Sequence, residues 1–255
     1  MLSNLVSRDL KSRYKGSILG FLWTVLTPLF MAMIYVFFLR LLARGVAMES
    51  IIVGVFSWQF TAQAVNSGLM AVSGNSNLVK KVYFPRFILP TASTFANLVN
   101  YLLSLVIQFI LVAILLSLKG EAMPWTVVLV PLLVLYHTLL CLGLAYLLSA
   151  VNVFFRDAQH LVGVLLSAWF FASPVMYDLD LPIIQTFARD NPLFVNLYML
   201  NPMAVINTGY RALILPGTSF PFHIFTVIGV LLPLVFTAVA YGVFQRMQRN
   251  FADLL

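Results

Sequence analysis

The chain has 255 residues, of which 62% are hydrophobic and only 9% charged, with a net charge of +7. A soluble domain carries about 25% charged residues and about 45–50% apolar ones, and a surface built from this composition would leave large apolar patches facing water. The mean hydropathy of +0.98 agrees: this is an integral membrane protein, not a disordered chain, a secreted disulfide scaffold or a cytosolic enzyme, with room for roughly five to seven spans of about 20 residues.

In chain order, residues 1–16 are not a signal peptide, because the apolar run behind them is too long and no small-residue cleavage site follows it. They read as an amphipathic helix at the membrane interface, with Leu2, Leu5, Val6, Leu10 and Tyr14 on one side and Asn4, Arg8, Lys11, Ser12 and Lys15 on the other. Charge-free length then marks six spans, at residues 17–39, 50–73, 87–118, 122–155, 158–177 and 222–245. Between the second and third, residues 74–86 form a short helix stopped before Pro85. Lys80, Lys81 and Arg86 there flank Leu78, Val79, Tyr83 and Phe84, which suits either lipid headgroups or a docking partner.

Residues 178–221 hold Asn191, Asn196, Asn201 and Asn207 with the helix breakers Pro192 and Pro202. Bare backbone cannot face lipid, so this segment reads as an external, partly re-entrant pair of short gate helices. Six spans with both termini cytoplasmic place Arg8, Lys11, Arg13, Lys15, Lys80, Lys81, Arg86, Arg156, Arg246 and Arg249 inside. Arg40, Arg44, Lys119, Arg189 and Arg211 fall outside, the bias that the positive-inside rule requires. A seventh span would send Arg246 and Arg249 outside. The positive charge therefore reads as topology rather than nucleic-acid binding. No internal repeat stands out, which weakens the case for an inverted-repeat secondary transporter.

The spans carry two polar stripes. Gln59, Gln63, Asn66 and Ser67 recur at helical spacing on the second, and Ser93, Asn97, Asn100, Tyr101, Ser104 and Gln108 on the third. Such groups either bond packed helices together or line a path for polar cargo. Aromatics gather on the first span (Trp23 and Tyr35 among them) and the fifth (Trp169, Phe170, Phe171, Tyr177), as interfacial belts or as faces that stack on sugar rings. No full charge lies deep in a span, so an ion-coupled transporter lacks its usual machinery. His137 and His160 read as packing residues without a second ligand at metal spacing, and no serine has a triad context. An intramembrane enzyme would have only Asp178, Asp180 and Asp190 to draw on. There is no phosphate-binding loop, so any ATPase must be another chain. Amides beside aromatics suit a carbohydrate better than an ion. The expected channel residues are Trp23, Tyr35, Gln59, Gln63, Asn66, Ser93, Asn97, Asn100, Tyr101, Trp169 and Tyr177.

The motifs RDLKSRYK at 8–15, LGFLW at 19–23, LVKKVYFPR at 78–86, NVFFRD at 152–157, SP at 173–174 and NP at 201–202 resemble, in the same order, the membrane subunit of bacterial ABC polysaccharide exporters. The resemblance runs through essentially the whole chain, to FADLL at 251–255. It implies an inner-membrane homodimer of six-helix subunits with a channel at the dimer interface, and two copies of a separate ATPase. ATP and magnesium would sit on that ATPase, and no cofactor on this chain. The ATPase would be gripped by the N-terminal helix and the loop after span two, here Arg8, Lys11, Asn77, Leu78, Lys80, Lys81, Tyr83 and Arg86. The implied cargo is O-antigen on undecaprenyl diphosphate, whose diphosphate Arg13 and Lys15 would attract at the cytoplasmic entrance. Teichoic acid or capsule export is the alternative, and an ion-coupled transporter of a small polar solute a more distant one.

Overall fold

A computed structural model describes residues 2–14, 16–17, 19–42, 47–155, 157–179, 186, 191 and 196–254. These fold entirely into helices and turns, with no strand among the described residues. Helix α1 (Leu2–Tyr14) lies across the start of α5 (Ile88–Ser117). Between them come α2 (Trp23–Leu42), α3 (Met48–Leu69) and the six-residue α4 (Ser76–Lys81). Then follow α6 (Val130–Phe154), α7 (Ala158–Phe171), α8 (Pro202–Ile214), α9 (Ile224–Met247) and a terminal turn, α10 (Phe251–Leu254).

Among the described residues, three stretches are long and apolar enough to cross a membrane: Ile88–Ser117, Trp125–Phe154 and Ile224–Asn250. At 1.5 Å rise per residue a 30-residue helix reaches about 45 Å, more than the roughly 30 Å hydrocarbon core. Exposed apolar side chains run down their outer faces, among them Val106, Ile110 and Ile114 on α5 and Val235 and Val239 on α9. Shorter apolar helices occupy Val25–Phe38 and Ala158–Phe171.

Helix α3 is the axis of the bundle, packed against α2, α5, α6, α7 and α8 and buried along most of its length, with Gln59, Gln63, Asn66 and Ser67 on its less buried side. Small residues let its neighbours close in. A Cβ on Gly68 would stand 2.6 Å from that of Ala145, and one on Gly54 only 2.1 Å from the Val175 carbonyl oxygen, the small-residue packing that replaces hydrophobic drive between membrane helices. Past the end of α5, Gly120, with a positive φ of 75°, lets the chain turn while the Glu121 N–H closes on the Leu116 carbonyl at 3.0 Å.

Helix bounds differ from the expected spans at several points: α2 starts at Trp23 rather than 17 and α6 at Val130 rather than 122. Helix α3 runs from Met48 to Leu69, starting and stopping earlier than residues 50–73, and residues after it form a turn. Helix α7 stops at Phe171, before the expected residue 177. Ser173 and Pro174 turn the chain there, and Asn201 holds the turn, donating from Nδ2 to the Ala172 carbonyl and to Ser173 Oγ, each at 3.0 Å. Residues 178–221, expected to hold the gate helices, include α8, which starts with Asn201 as N-cap, accepting from the Met203 N–H at 3.0 Å, and Pro202 in its first turn. Met203, Ile206, Tyr210 and Ile214 on it are fully buried, so protein shields this helix. Residues 180–185, 187–190 and 192–195 of that segment lie outside the described residues.

Candidate functional site

One end of the bundle gathers α1, α4 and α10. Where α3 stops, its last carbonyls need donors, and Asn152 of α6 supplies one, donating to the Leu69 carbonyl at 3.1 Å and to Ser73 Oγ at 2.9 Å. Asn75 donates to the Ala71 carbonyl at 2.9 Å and accepts from Arg8 of α1 at 2.7 Å. Val79 turns inward into an apolar cluster with Val72, Leu89, Val153, Phe244 and Phe251, against which Leu5 of α1 packs. Past α4 the backbone extends, Tyr83 stands fully exposed, and Arg86 turns back to donate to the Gln248 carbonyl. The outward surface is left to Asn77, Lys80, Lys81 and Tyr83, with Leu78 half-buried and Lys11 exposed on α1. A polar cavity of about 240 Å³ behind it is lined by Arg8, Asp9, Ser67, Asn75 and Ser93, among others. All eight residues expected at a docking surface thus lie on α1 or on the segment around α4, yet Arg8 and Arg86 are engaged within the chain. The side chain of Arg13, and Lys15 altogether, lie outside the described residues.

The two polar stripes divide by depth. Asn97, Asn100 and Tyr101 are buried inside the helix bundle. Asn97 donates to the Ser93 carbonyl at 2.8 Å, Ser104 donates to the Asn100 carbonyl at 3.0 Å, and the Tyr101 ring stacks flat on Phe60 at 4.6 Å. Gln59 and Gln63 are half-buried at the rim of a cleft of about 10 Å³ that they share with Pro28, Asn97 and Asn100. Asn66 and Trp23 are exposed. Tyr35 packs against Phe170 at 5.6 Å, Trp169 donates to Asn201 Oδ1 at 2.9 Å, and the Tyr177 hydroxyl lies 2.7 Å from that of Tyr198. One buried node escaped the sequence reading: His137 of α6 stands 2.7 Å from the Thr61 hydroxyl of α3 and 3.4 Å from the Tyr210 hydroxyl of α8. Histidine spacing alone carried no hint of it, since its partners come from other helices.

At the opposite end Arg211 of α8, only 4% exposed, acts as a clasp. It pairs with Asp178 at 2.9 Å and donates to the carbonyls of Tyr177 and Val175, each at 3.0 Å, and of Ser50 at 3.3 Å. Ser50 Oγ donates to the same Asp178 oxygen at 2.6 Å. The planar five-donor fork suits such a cluster of acceptors. Glu49 and Lys119 form a second ion pair at this end. Asp178, the one described member of the acidic trio available to an enzyme, is therefore a structural partner; Asp180 and Asp190 lie outside the described residues. Among the described residues no group of three or more His, Cys, Asp or Glu is placed to hold a metal.

A family model described as ABC-2 type transporter matches residues 2–215. The chain belongs to the ABC-2 type transporter family. The matched region runs from α1 through α8. An O-antigen export system permease protein RfbA from Myxococcus xanthus is 38% identical over 84% of this chain and 79% of its own length. Two proteins of the same name from Klebsiella pneumoniae are 28% and 26% identical, each over 100% of this chain and 95% of its own length. This ABC-2 protein is thus a membrane permease by family and by composition, and α9 and α10, beyond the matched residues, are still covered by the Klebsiella relatives.

Proposed function

We propose that this protein is the permease subunit of an ATP-driven exporter of O-antigen carried on a lipid diphosphate. The observation that carries the reading is the end-to-end likeness to O-antigen export permeases. In this reading α2, α3, α5, α6, α7 and α9 cross the bacterial inner membrane, with α7 extended by residues 172–177. The end carrying α1, α4 and α10 faces the cytoplasm: Lys11, Lys80, Lys81, Arg246 and Arg249 are exposed there, the sense of the positive-inside rule. Two copies form the channel, and two ATPase subunits dock on Asn77, Lys80, Lys81 and Tyr83 with Lys11 of α1.

ATP does work only through its higher affinity for the closed ATPase pair, and that closure shifts α4 against the bundle. The accessible polar and aromatic groups, Trp23, Tyr35, Gln59, Gln63, Asn66 and Tyr177, form the sugar path, with Ser93, Asn97, Asn100, Tyr101 and Trp169 as a supporting row behind. Arg13 and Lys15 draw the diphosphate to the inner entrance. The test is the triple variant Lys80→Glu, Lys81→Glu, Tyr83→Ala, assayed for co-purifying ATPase and for polymer at the cell surface. Both should be lost while the permease still inserts; ATPase retained at wild-type yield overturns the docking surface. Export by the purified chain alone in liposomes under a proton or sodium gradient overturns the class.

A further inference from the structure

We infer that the chain after α9 is a brace for the docking helix, and that Arg86 and Phe251 are positioning residues that make the last long helix move with α4. The inference rests on the proposal that an ATPase presses on α4. A helix of six residues is far too short to hold itself in place, so its position is set by what it is tied to. On the α1 side it is tied by Arg8 to Asn75, and on the α6 side by Asn152 to Leu69 and Ser73. Neither tie reaches α9.

The third tie does. Gln248 is the C-cap of α9; its carbonyl accepts from the Phe251 N–H in the turn that follows and has a lone pair left for a further donor, and a cation there also meets the negative end of the helix dipole. Arg86 reaches this carbonyl from the far side of Pro85. Beside it Phe251, fully buried, packs edge-on to Phe244 of α9 at 5.5 Å and to Phe154 of α6 at 6.2 Å, in the same apolar cluster as Val79 of α4. A guanidinium serving a partner protein would point outward; this one is half-buried and points at α9. Displacement of α4 is therefore carried into α9 directly by the aromatic plug and, through the turn that leads from α4 into α5, by the Arg86 hydrogen bond, besides being carried into α3 and α5 by chain continuity.

The test compares Arg86→Gln, Arg86→Lys, Phe251→Ala and the milder Phe251→Leu, each purified with its ATPase and reconstituted. Read out are co-purification yield, ATP hydrolysis and polymer exported per ATP consumed. Arg86→Gln and Phe251→Ala should keep the ATPase at wild-type yield and hydrolysis near the wild-type rate while export per ATP falls roughly tenfold, the scale of a typical coupling free energy. Arg86→Lys, which keeps the charge but not the fork, should fall in between. Loss of the ATPase from Arg86→Gln would place Arg86 on the docking surface and overturn the brace, as would unchanged export per ATP. Failure of Arg86→Gln to fold would make the contact purely structural and overturn it equally; if only Phe251→Ala fails to fold, Phe251→Leu is read instead. The docking proposal fails by a separate result, retention of the ATPase by the Lys80, Lys81 and Tyr83 triple variant.

Discussion

Arg211 is the residue whose partners matter most to the fold. Its side chain is 5% exposed and that of Asp178 21%, so truncating the arginine strands a largely buried carboxylate and several backbone carbonyls. Removing one partner of a buried pair costs about 3–5 kcal/mol. Arg211→Met should lower the melting temperature of the purified permease sharply and Asp178→Asn less, because Asp178 keeps some water. The comparison is Lys119→Met: that side chain is 48% exposed and its partner Glu49 9%, so the change strands one buried carboxylate but no cluster of backbone carbonyls, and should cost less. A melt in which Lys119→Met costs as much as Arg211→Met would contradict this ranking. Arg211 was visible in the sequence as a basic residue of the outer segment. Its partners were not, because Ser50, Val175 and Asp178 come from other parts of the chain and only the packing of α8 against α3 collects them.

Among the elements, α8 shows how one residue organises a junction. Asn201 caps α8, accepts from Trp169 at the end of α7 and donates to the Ala172 carbonyl. Pro202 reads in the sequence only as a helix breaker; the structure makes Asn201-Pro202 a helix start instead, with Asn as N-cap and Pro in the first turn, and the same amide also stops α7. Asn201→Ala should cost about 1–2 kcal/mol and raise hydrogen exchange in residues 172–178 and in the first turn of α8 together, with α5 unaffected. Faster exchange in α8 alone would mean that Asn201 is a cap and nothing more. A second element-level outcome concerns Gly54, where a methyl group would meet the Val175 carbonyl at 2.1 Å. Overpacking of this kind costs about 1–3 kcal/mol, so Gly54→Ala should push the 173–178 turn off α3 and lower the melting temperature.

At the scale of the whole molecule, the two polar stripes should separate by experiment. Gln59 and Gln63 are half-buried and Asn97 is 1% exposed. If the former border the sugar path, replacing both with Leu should cut surface polymer while leaving yield, melting temperature and ATPase binding as they were. Asn97→Leu should instead lower the melting temperature, because it removes a buried amide that bonds the α5 backbone, and export should fall only with the amount of folded protein. Equal melting temperatures with selective loss of export in Asn97→Leu would move Asn97 into the path.

The sequence by itself determined that this is a membrane protein, since apolar length and the scarcity of charge depend on composition and not on folding. It also pointed to the family, because the motifs follow one another in the family's order. Only the tertiary structure decided the use of each polar group. Which amide meets a neighbouring helix, that Arg8 and Arg86 turn inward while Lys80 and Lys81 face out, and that Asp178 serves Arg211 all depend on helix rotation and on contacts between distant segments. A buried polar group must be satisfied somewhere, but one-dimensional spacing shows only its own helix face, and the partner is supplied by packing.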